Sequence, residues 1–337
     1  MREVDREKMF IVEEYMTRNP VVVDGNERAG NVAELMVKRN LKRVVVKTDK
    51  GYSVASARLL VRDALMTPDW ADKKISSMVR HGFSVGPDVH TKVAAREMAN
   101  NFVGSLLVLE GSNLVGIITE RDIIRSSIHL GIPVEAFMTK HVEMLGPEAT
   151  LSEAAIAMSH FGYSNLPVHD GSEVKKVLTI RDALRALVEG KLNEKVLNCN
   201  FGREPITVTP DHTFGKVKDL IIEKSVDGVL VTKNDSSRKV EDIIGIVTMW
   251  DMVRTYANSI SAHIMMEVEL QYLESVMREL SKIPRVSDFT PLLGEYDLRV
   301  RVDAESLDAL TDLLLNRIGK IKGIRKTVTM IEIQPAL

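Results

Sequence analysis

The sequence predicts an α+β / α/β chain in which two tandem pairs of strand–helix repeats precede a smaller βαββαβ domain. Two observations carry this. Four short segments share one shape: "SVASARL" (53–59), "GIITERD" (116–122), "KVLTIRD" (176–182) and "GIVTMWD" (245–251). They set hydroxyl residues at Ser56, Thr119, Thr179 and Thr248, roughly 60–70 residues apart, and such fixed-period self-similarity marks a repeat architecture. After "RTYANSI" (254–260) the pattern stops and a different order of elements begins.

Within each repeat the elements follow from local signals. A landmark opens each one: "EEYMTRNPVVV", "ISSMVRHGFSVGP", "VEAFMTKHVEMLGP" and "EKVLNCNFGREPITVTP". A helical pattern follows, as in 150–162, where Ala154, Ala155, Met158 and Phe161 fall on one face. Next comes a β-rich run ("RVVVK", "SLLVLE", "NLPVHD", "GVLVTK"), and then the motif strand enters the last helix. The order strand, helix, strand, strand, helix resembles the CBS domain, named after cystathionine β-synthase. The resemblance gives four units: 11–66, 71–130, 132–190 and 194–257. Because CBS units pair, it implies two modules, one with two and three with four. The break is expected near "HLGIP" (129–133), where Gly and Pro punctuate the chain. The run "VKTDKGYSVASARLLVRDAL" (46–65) shows no legible purpose.

The motif itself allows two readings. Thr followed three residues later by an acid, ahead of an apolar run, is nearly a capping box, with the acid favouring the positive end of the helix dipole. The same helix N-terminus can receive a phosphate, and a nearby carboxylate can take both hydroxyls of a ribose. In the CBS family the Thr and Asp contact ribose. The resemblance therefore implies ribose contacts at Thr119 and Asp122, Thr179 and Asp182, and Thr248 and Asp251. It makes Arg121 and Arg181 the nearest phosphate partners, with Ser84, Thr207, Ser105 and Asn165 lining the slot. Trp250 replaces the arginine in unit four and offers a stacking face. Unit one departs from the pattern: Leu59 stands in place of Asp, and Ala57 where a charge is common. Lost hydrogen bonds to a charged group remove about 1.5–3 kcal/mol each, so unit one is expected mainly to complete the fold.

The C-terminal segment reads strand ("SAHIMMEVELQ"), helix ("YLESVMRELSKI"), two strands around Gly294, helix ("ESLDALTDLLLNRIGKI") and strand ("IRKTVTMIEI"). Leu273, Val276, Met277 and Leu280 share a face, as do Leu307, Leu310, Leu314 and Ile318. Residues 262–333 form a ferredoxin-like βαββαβ unit. Through "GEYDLRVRV" (294–302) and "GIRKTVTMIEI" (323–333) this unit resembles the effector-binding domain of Lrp/AsnC-type regulators. That family pairs its domains and holds an amino acid at the interface. The carried-over positions are Gly294, Tyr296 and Asp297, with Thr327 and Thr329 on the last strand. Bland readings stand beside them: a tight turn for Gly294, a core ring for Tyr296, and a bond to backbone N–H for Asp297.

Other chemistry finds no support. A net charge of −2 gives no bulk attraction to nucleic acid, so no direct nucleic-acid contact is expected. Cys199 is the only cysteine, which excludes an intrachain disulfide and a cysteine-built zinc site. None of the eight histidines pairs with another at i, i+3 or i+4, and no Walker A or Gly-x-Ser-x-Gly loop occurs. No catalytic residue, metal ligand or required cofactor is therefore assigned. Apolar runs are too short to span a membrane, and "MREVDREKMF" lacks the apolar stretch of a secretory signal; a cytoplasmic protein is expected. The reading is a non-catalytic regulatory sensor for an adenine nucleotide (AMP, ADP, ATP or an S-adenosyl compound), homodimeric through its tail, with an amino acid as the tail's ligand. The alternatives are a transcription regulator reaching DNA through a partner and a detached regulatory subunit acting on a client protein.

Overall fold

The computed structural model describes residues 10–332, so most of "MREVDREKMF" and the end of the last predicted segment lie outside the described residues. Three of the four units, one, two and four, share one build. In unit one Val22–Asp24 runs parallel to Arg43–Thr48, which pairs antiparallel with Gly51–Ser56. The helix Ala29–Lys38 connects the first two strands and the helix Ala57–Met66 follows the third. Units two (Ser84–Val85, Ser105–Glu110, Asn113–Thr119) and four (Thr207–Val208, Gly228–Thr232, Ile243–Thr248) repeat this pairing. In unit three the parallel strand shrinks to a single bridge, Leu145 to Val168, beside the hairpin Asn165–His169 and Val174–Thr179. The run 46–65, opaque in sequence, is the hairpin and second helix of unit one. Its buried Leu60 and Val61 join a core shared with unit three.

The units exchange their lead-in segments in pairs. Thr17 pairs with Ile117 of unit two, and His81 pairs with Ser53 of unit one. Thr139 pairs with Ile246 of unit four, and Arg203 pairs with Val177 of unit three. Sheet faces seal the same pairs: Val45 against Leu107 and Ile117, and Val174 against Leu230 and Ile246. A glycine makes this approach possible. A Cβ on Gly116 would lie 2.5 Å from Met16 Sδ, and one on Gly245 would lie 2.7 Å from Met138 Sδ. The helices follow a different pairing, which the repeat pattern did not announce. One core joins units one and three (Met36, Leu60, Met158, Leu184), and another joins units two and four (Met98, Ile123, Phe214, Met252). All four units thus close around one centre.

The punctuation at 129–133 is not a loose linker. Leu130 and Ile132 are fully buried, and their carbonyls accept from Gly215 and Phe214 N–H groups at 3.2 and 2.8 Å, so the crossing is docked on unit four. Burying two such side chains contributes roughly 1.5–3 kcal/mol each. Phe161 corrects the amphipathic face read for 150–162. The helix Leu151–His160 buries Ala154, Ala155 and Met158, but Phe161 lies beyond its end and is exposed.

The C-terminal domain has the expected order of elements. Its sheet runs Val286–Pro291, Leu298–Ala304, Ile260–Val268, Ile324–Ile331, all antiparallel, with two helical segments on one face. The second helix corrects one expectation. Leu307–Asp312 is α-helical, but Leu313–Arg317 widens into a π-turn. That wider turn brings Leu313 into the core with Leu310 and Ile318, while Leu307, the first residue of the helix, is exposed. Among the described residues no helix is long and apolar enough to cross a membrane.

Candidate functional site: a cationic cavity where four units meet

The three Thr-x-x-Asp motifs are capping boxes in the structure. The Thr119 hydroxyl and N–H donate to Asp122 at 2.7 and 2.9 Å, and those of Thr179 donate to Asp182 at 2.8 and 2.7 Å. Thr248 does the same to Asp251 at 2.7 and 2.8 Å and accepts the Asp251 N–H. One carboxylate oxygen of each Asp closes its own helix end. The second oxygen of Asp182 takes the Gly202 N–H at 3.3 Å; that of Asp251 takes the Thr139 hydroxyl at 3.1 Å. Burial raises the Asp122 and Asp251 carboxyls above the ordinary value against the pull of these hydrogen bonds.

Arg121 and Arg181 are engaged elsewhere than at an open phosphate site. Both reach the nearly inaccessible carboxylate of Asp227 in unit four, each at 3.0 Å, and Arg121 also donates to the Val226 carbonyl oxygen at 2.9 Å. Asn165 Nδ2 donates to the Asp227 carbonyl oxygen at 3.2 Å. Asp227 thus ties units two, three and four together.

A cavity of about 840 Å³ lies at the centre of the four units. Of the residues expected at the site, Ser105, Asn165, Thr248 and Asp251 line it, with Trp250. Thr119, Asp122, Thr179, Asp182, Arg121 and Arg181 are not part of its wall, nor are Ser84 and Thr207, which sit in the short parallel strands opposite Leu107 and Leu230. The opposite wall belongs to unit one and its lead-in partner: Lys42, Arg43, Arg58, Arg62 and Arg80. Lys42 and Arg43 hold Glu120 at 3.4 and 3.1 Å. Burial alone would raise that carboxyl, but the two cations outweigh it and bring it down to about 2. Arg58 donates to the Gly162 carbonyl oxygen at 2.8 Å, and its Nε has no partner among the described residues. Burial and the neighbouring Arg43 depress its guanidinium, so an incoming anion would be stabilised there. Arg62 and Arg80 form no ion pair among the described residues.

Unit one, expected mainly to complete the fold, also supplies Lys42, Arg43, Arg58 and Arg62 to the cavity wall. Its missing Asp drew attention to Leu59, whose N–H is capped by Ser56 at 3.2 Å. The signal in sequence was Arg58, which stands in the motif where Arg121 and Arg181 stand.

A short helical connection runs from the cavity to the tail. The helix Met249–Asn258 starts at the Thr248–Asp251 cap and ends one residue before the tail strand Ile260–Val268. Lys92 Nζ and Arg96 Nε of unit two hold its end, donating to the Ser259 and Ala257 carbonyl oxygens at 2.8 and 3.0 Å. Burial lowers the Lys92 ammonium to about 8.

In the tail, Asp297 takes the bland role: its carboxylate accepts the Val268 N–H at 2.7 Å, and its backbone bonds Met266 and Leu292. Gly294 is exposed with open space around it. The half-buried Tyr296 ring lies 5.8 Å from Lys326 Nζ. Thr327 and Thr329 stand opposite Met266 and Ile264. A recess of about 370 Å³ lies instead between Tyr272, Ser275 and Glu279 and the segment 317–322, and none of the expected tail residues lines it. Among the described residues no group of three potential metal ligands assembles.

Known proteins give the architecture a context. A 17.7 kDa protein from Acidianus ambivalens, described as uncharacterised, is 36% identical over 111 residues, which cover 32% of this chain and 68% of that protein. An inosine-5'-monophosphate dehydrogenase from Korarchaeum cryptofilum is 28% identical over 174 residues, covering 48% of this chain but only 36% of the enzyme. The match thus spans about a third of that relative's length. A solved Methanocaldococcus jannaschii protein, described as a candidate archaeal homolog of g-AMPK, superposes with a TM-score of 0.62 at 16% identity. It covers 72% of this chain and 99% of its own length, and it shares the fold. The CBS domain model matches residues 12–54, 71–129, 134–189 and 201–258, stopping in unit one before Ser56, and the Lrp/AsnC ligand binding domain model matches 261–336. The chain belongs to the CBS-domain family, with four CBS domains followed by a C-terminal Lrp/AsnC ligand-binding domain.

Proposed function

We propose that this chain is a non-catalytic sensor that binds an adenine nucleotide (AMP, ADP, ATP or an S-adenosyl compound) between its CBS domains, self-associates through its tail as a homodimer and takes an amino acid there. One observation carries the nucleotide reading. The central cavity sets a hydroxyl–carboxylate pair, half-buried Thr248 and buried Asp251, across from arginines without carboxylate partners among the described residues. A ribose at Asp251 would replace the Thr139 hydroxyl on the second carboxylate oxygen, and Arg58, Arg62 and Arg80 would take the phosphates. This gives unit one the phosphate role expected of Arg121 and Arg181. Thr119–Asp122 and Thr179–Asp182 are further ribose positions proposed outside the central cavity, with Ser84, Thr207, Ser105 and Asn165 as slot-lining residues.

The tail sheet has helices on one face only. Met265, Val328, Met330, Arg299 and Arg301 fall on the other by register, and a second copy is the simplest cover for such a face. Gly294, Tyr296 and Asp297 are the positions proposed for an amino acid at the edge of that interface, while Thr327 and Thr329, opposite Met266 and Ile264, fall on the helix-covered face and would reach it only from the outer strand. A ligand at the Thr248–Asp251 cap would act on the tail through the Met249–Asn258 helix, which would be allostery.

Titration calorimetry tests the reading. Wild-type protein should bind at least one of AMP, ADP and ATP, and Arg58→Ala should weaken it at least ~10-fold, since a charge-assisted contact contributes about 1.5–3 kcal/mol. Binding of none of them, or unchanged affinity in Arg58→Ala, would remove it. Light scattering with and without nucleotide reads the coupling to self-association.

A further inference from the structure

We propose that Phe102 is the base-stacking residue of the central cavity, taking the adenine face of the nucleotide whose phosphates lie on the unit-one arginines. This rests on the nucleotide reading above and adds what fixes the base. The helix Thr91–Asn100 ends with Asn101 as cap and Phe102 in the left-handed region at φ +53°, while the Val103 N–H returns to the Met98 carbonyl oxygen at 3.0 Å. That closing turn favours glycine or asparagine, because a Cβ is crowded there. Asn40 (φ 52°) and Gly162 (φ 82°) obey at the same corner, and the small Ser225 (φ 52°) holds it in the fourth repeat. A bulky phenylalanine is the exception, and it gains nothing from burial, since it is 85% exposed. Among the described residues no other ring stacks on it.

The place of the ring says what it is for. Phe102 lines the cavity two residues before Gly104, whose missing side chain leaves the room taken by Arg43 and Glu120. An apolar π-face thus borders a cationic recess, the combination that receives a base and its phosphates together.

Calorimetry with ATP and with inorganic tripolyphosphate separates the two halves. Phe102→Asn should weaken ATP ~10-fold while leaving tripolyphosphate within about twofold. It should also raise the Tm by about 1–3 °C, because the strained corner relaxes. Phe102→Tyr should keep ATP affinity within about threefold. ATP affinity unchanged in Phe102→Asn, or equal losses for both ligands, would overturn stacking while leaving the nucleotide reading intact. Wild-type protein that binds neither ligand would overturn both.

Discussion

Arg121 and Arg181 both end on the carboxylate of Asp227, whereas Arg58, at the same place in the first repeat, ends on the carbonyl oxygen of Gly162 with its Nε unpaired. The difference lies in the neighbouring corner, not in the motif. Arg43, Ser105, Asn165 and Gly228 each face the motif hydroxyl of their own unit across the hairpin. The residue before each is Lys42, Gly104, Ser164 and Asp227. Where that corner is Asp227, two arginines are drawn into structure. Where it is Ser164, Arg58 meets no carboxylate and ends on the Gly162 carbonyl oxygen; where it is Lys42, the attraction reverses and Glu120 is drawn in. One motif position therefore serves as a tie in one half of the ring and as a candidate anion receptor in the other.

Breaking the tie should give the largest effect. Asp227→Asn strands Arg121 and Arg181, and the loss of a buried partner should lower unfolding free energy by about 3 kcal/mol, moderated by the partial exposure of both arginines. Urea unfolding would read it. A loss below about 0.5 kcal/mol would mean that the tie is ornamental.

The opposite corner is read by acid. Glu120 is held below its unfolded value, from 4.5 to about 2, so its contribution is present in full above pH 4.5 and is lost as pH falls through 2. A shift of that size corresponds to at most about 3 kcal/mol. Thermal unfolding of Glu120→Gln across this window should lose most of the pH dependence that wild type shows; parallel curves would show the carboxylate to be uncoupled.

The smallest effect tests the motif alone. Leu59→Asp would give Ser56 the reciprocal partner that the other three units have, adding about 0.5–1 kcal/mol to stability. A Tm that does not rise would show that unit one gains nothing from a complete cap.

The two kinds of site residue differ in how far they could be read. Thr119–Asp122, Thr179–Asp182 and Thr248–Asp251 are legible because a cap joins groups three residues apart, and its geometry follows from entry into a helix. Asp297 is similar in outcome but not in origin: its partner, Val268, is distant in sequence, and only the sheet brings the two together. Leu307 and Phe161 failed for local reasons of another kind. Leu307 opens its helix and Phe161 follows the end of its own, so each stands at a terminus where the helical face is no longer covered.

By itself the sequence determined the four repeats, their strand and helix order, the helix caps and the change of architecture at the tail. All of these rest on interactions a few residues long or on periods of two and 3.6. Only the tertiary structure decided that helices pair one with three and two with four, that Asp227 consumes two of the arginines, and that unit one supplies the cationic wall. Those outcomes depend on which charge meets which across units, and that requires the units already to be packed.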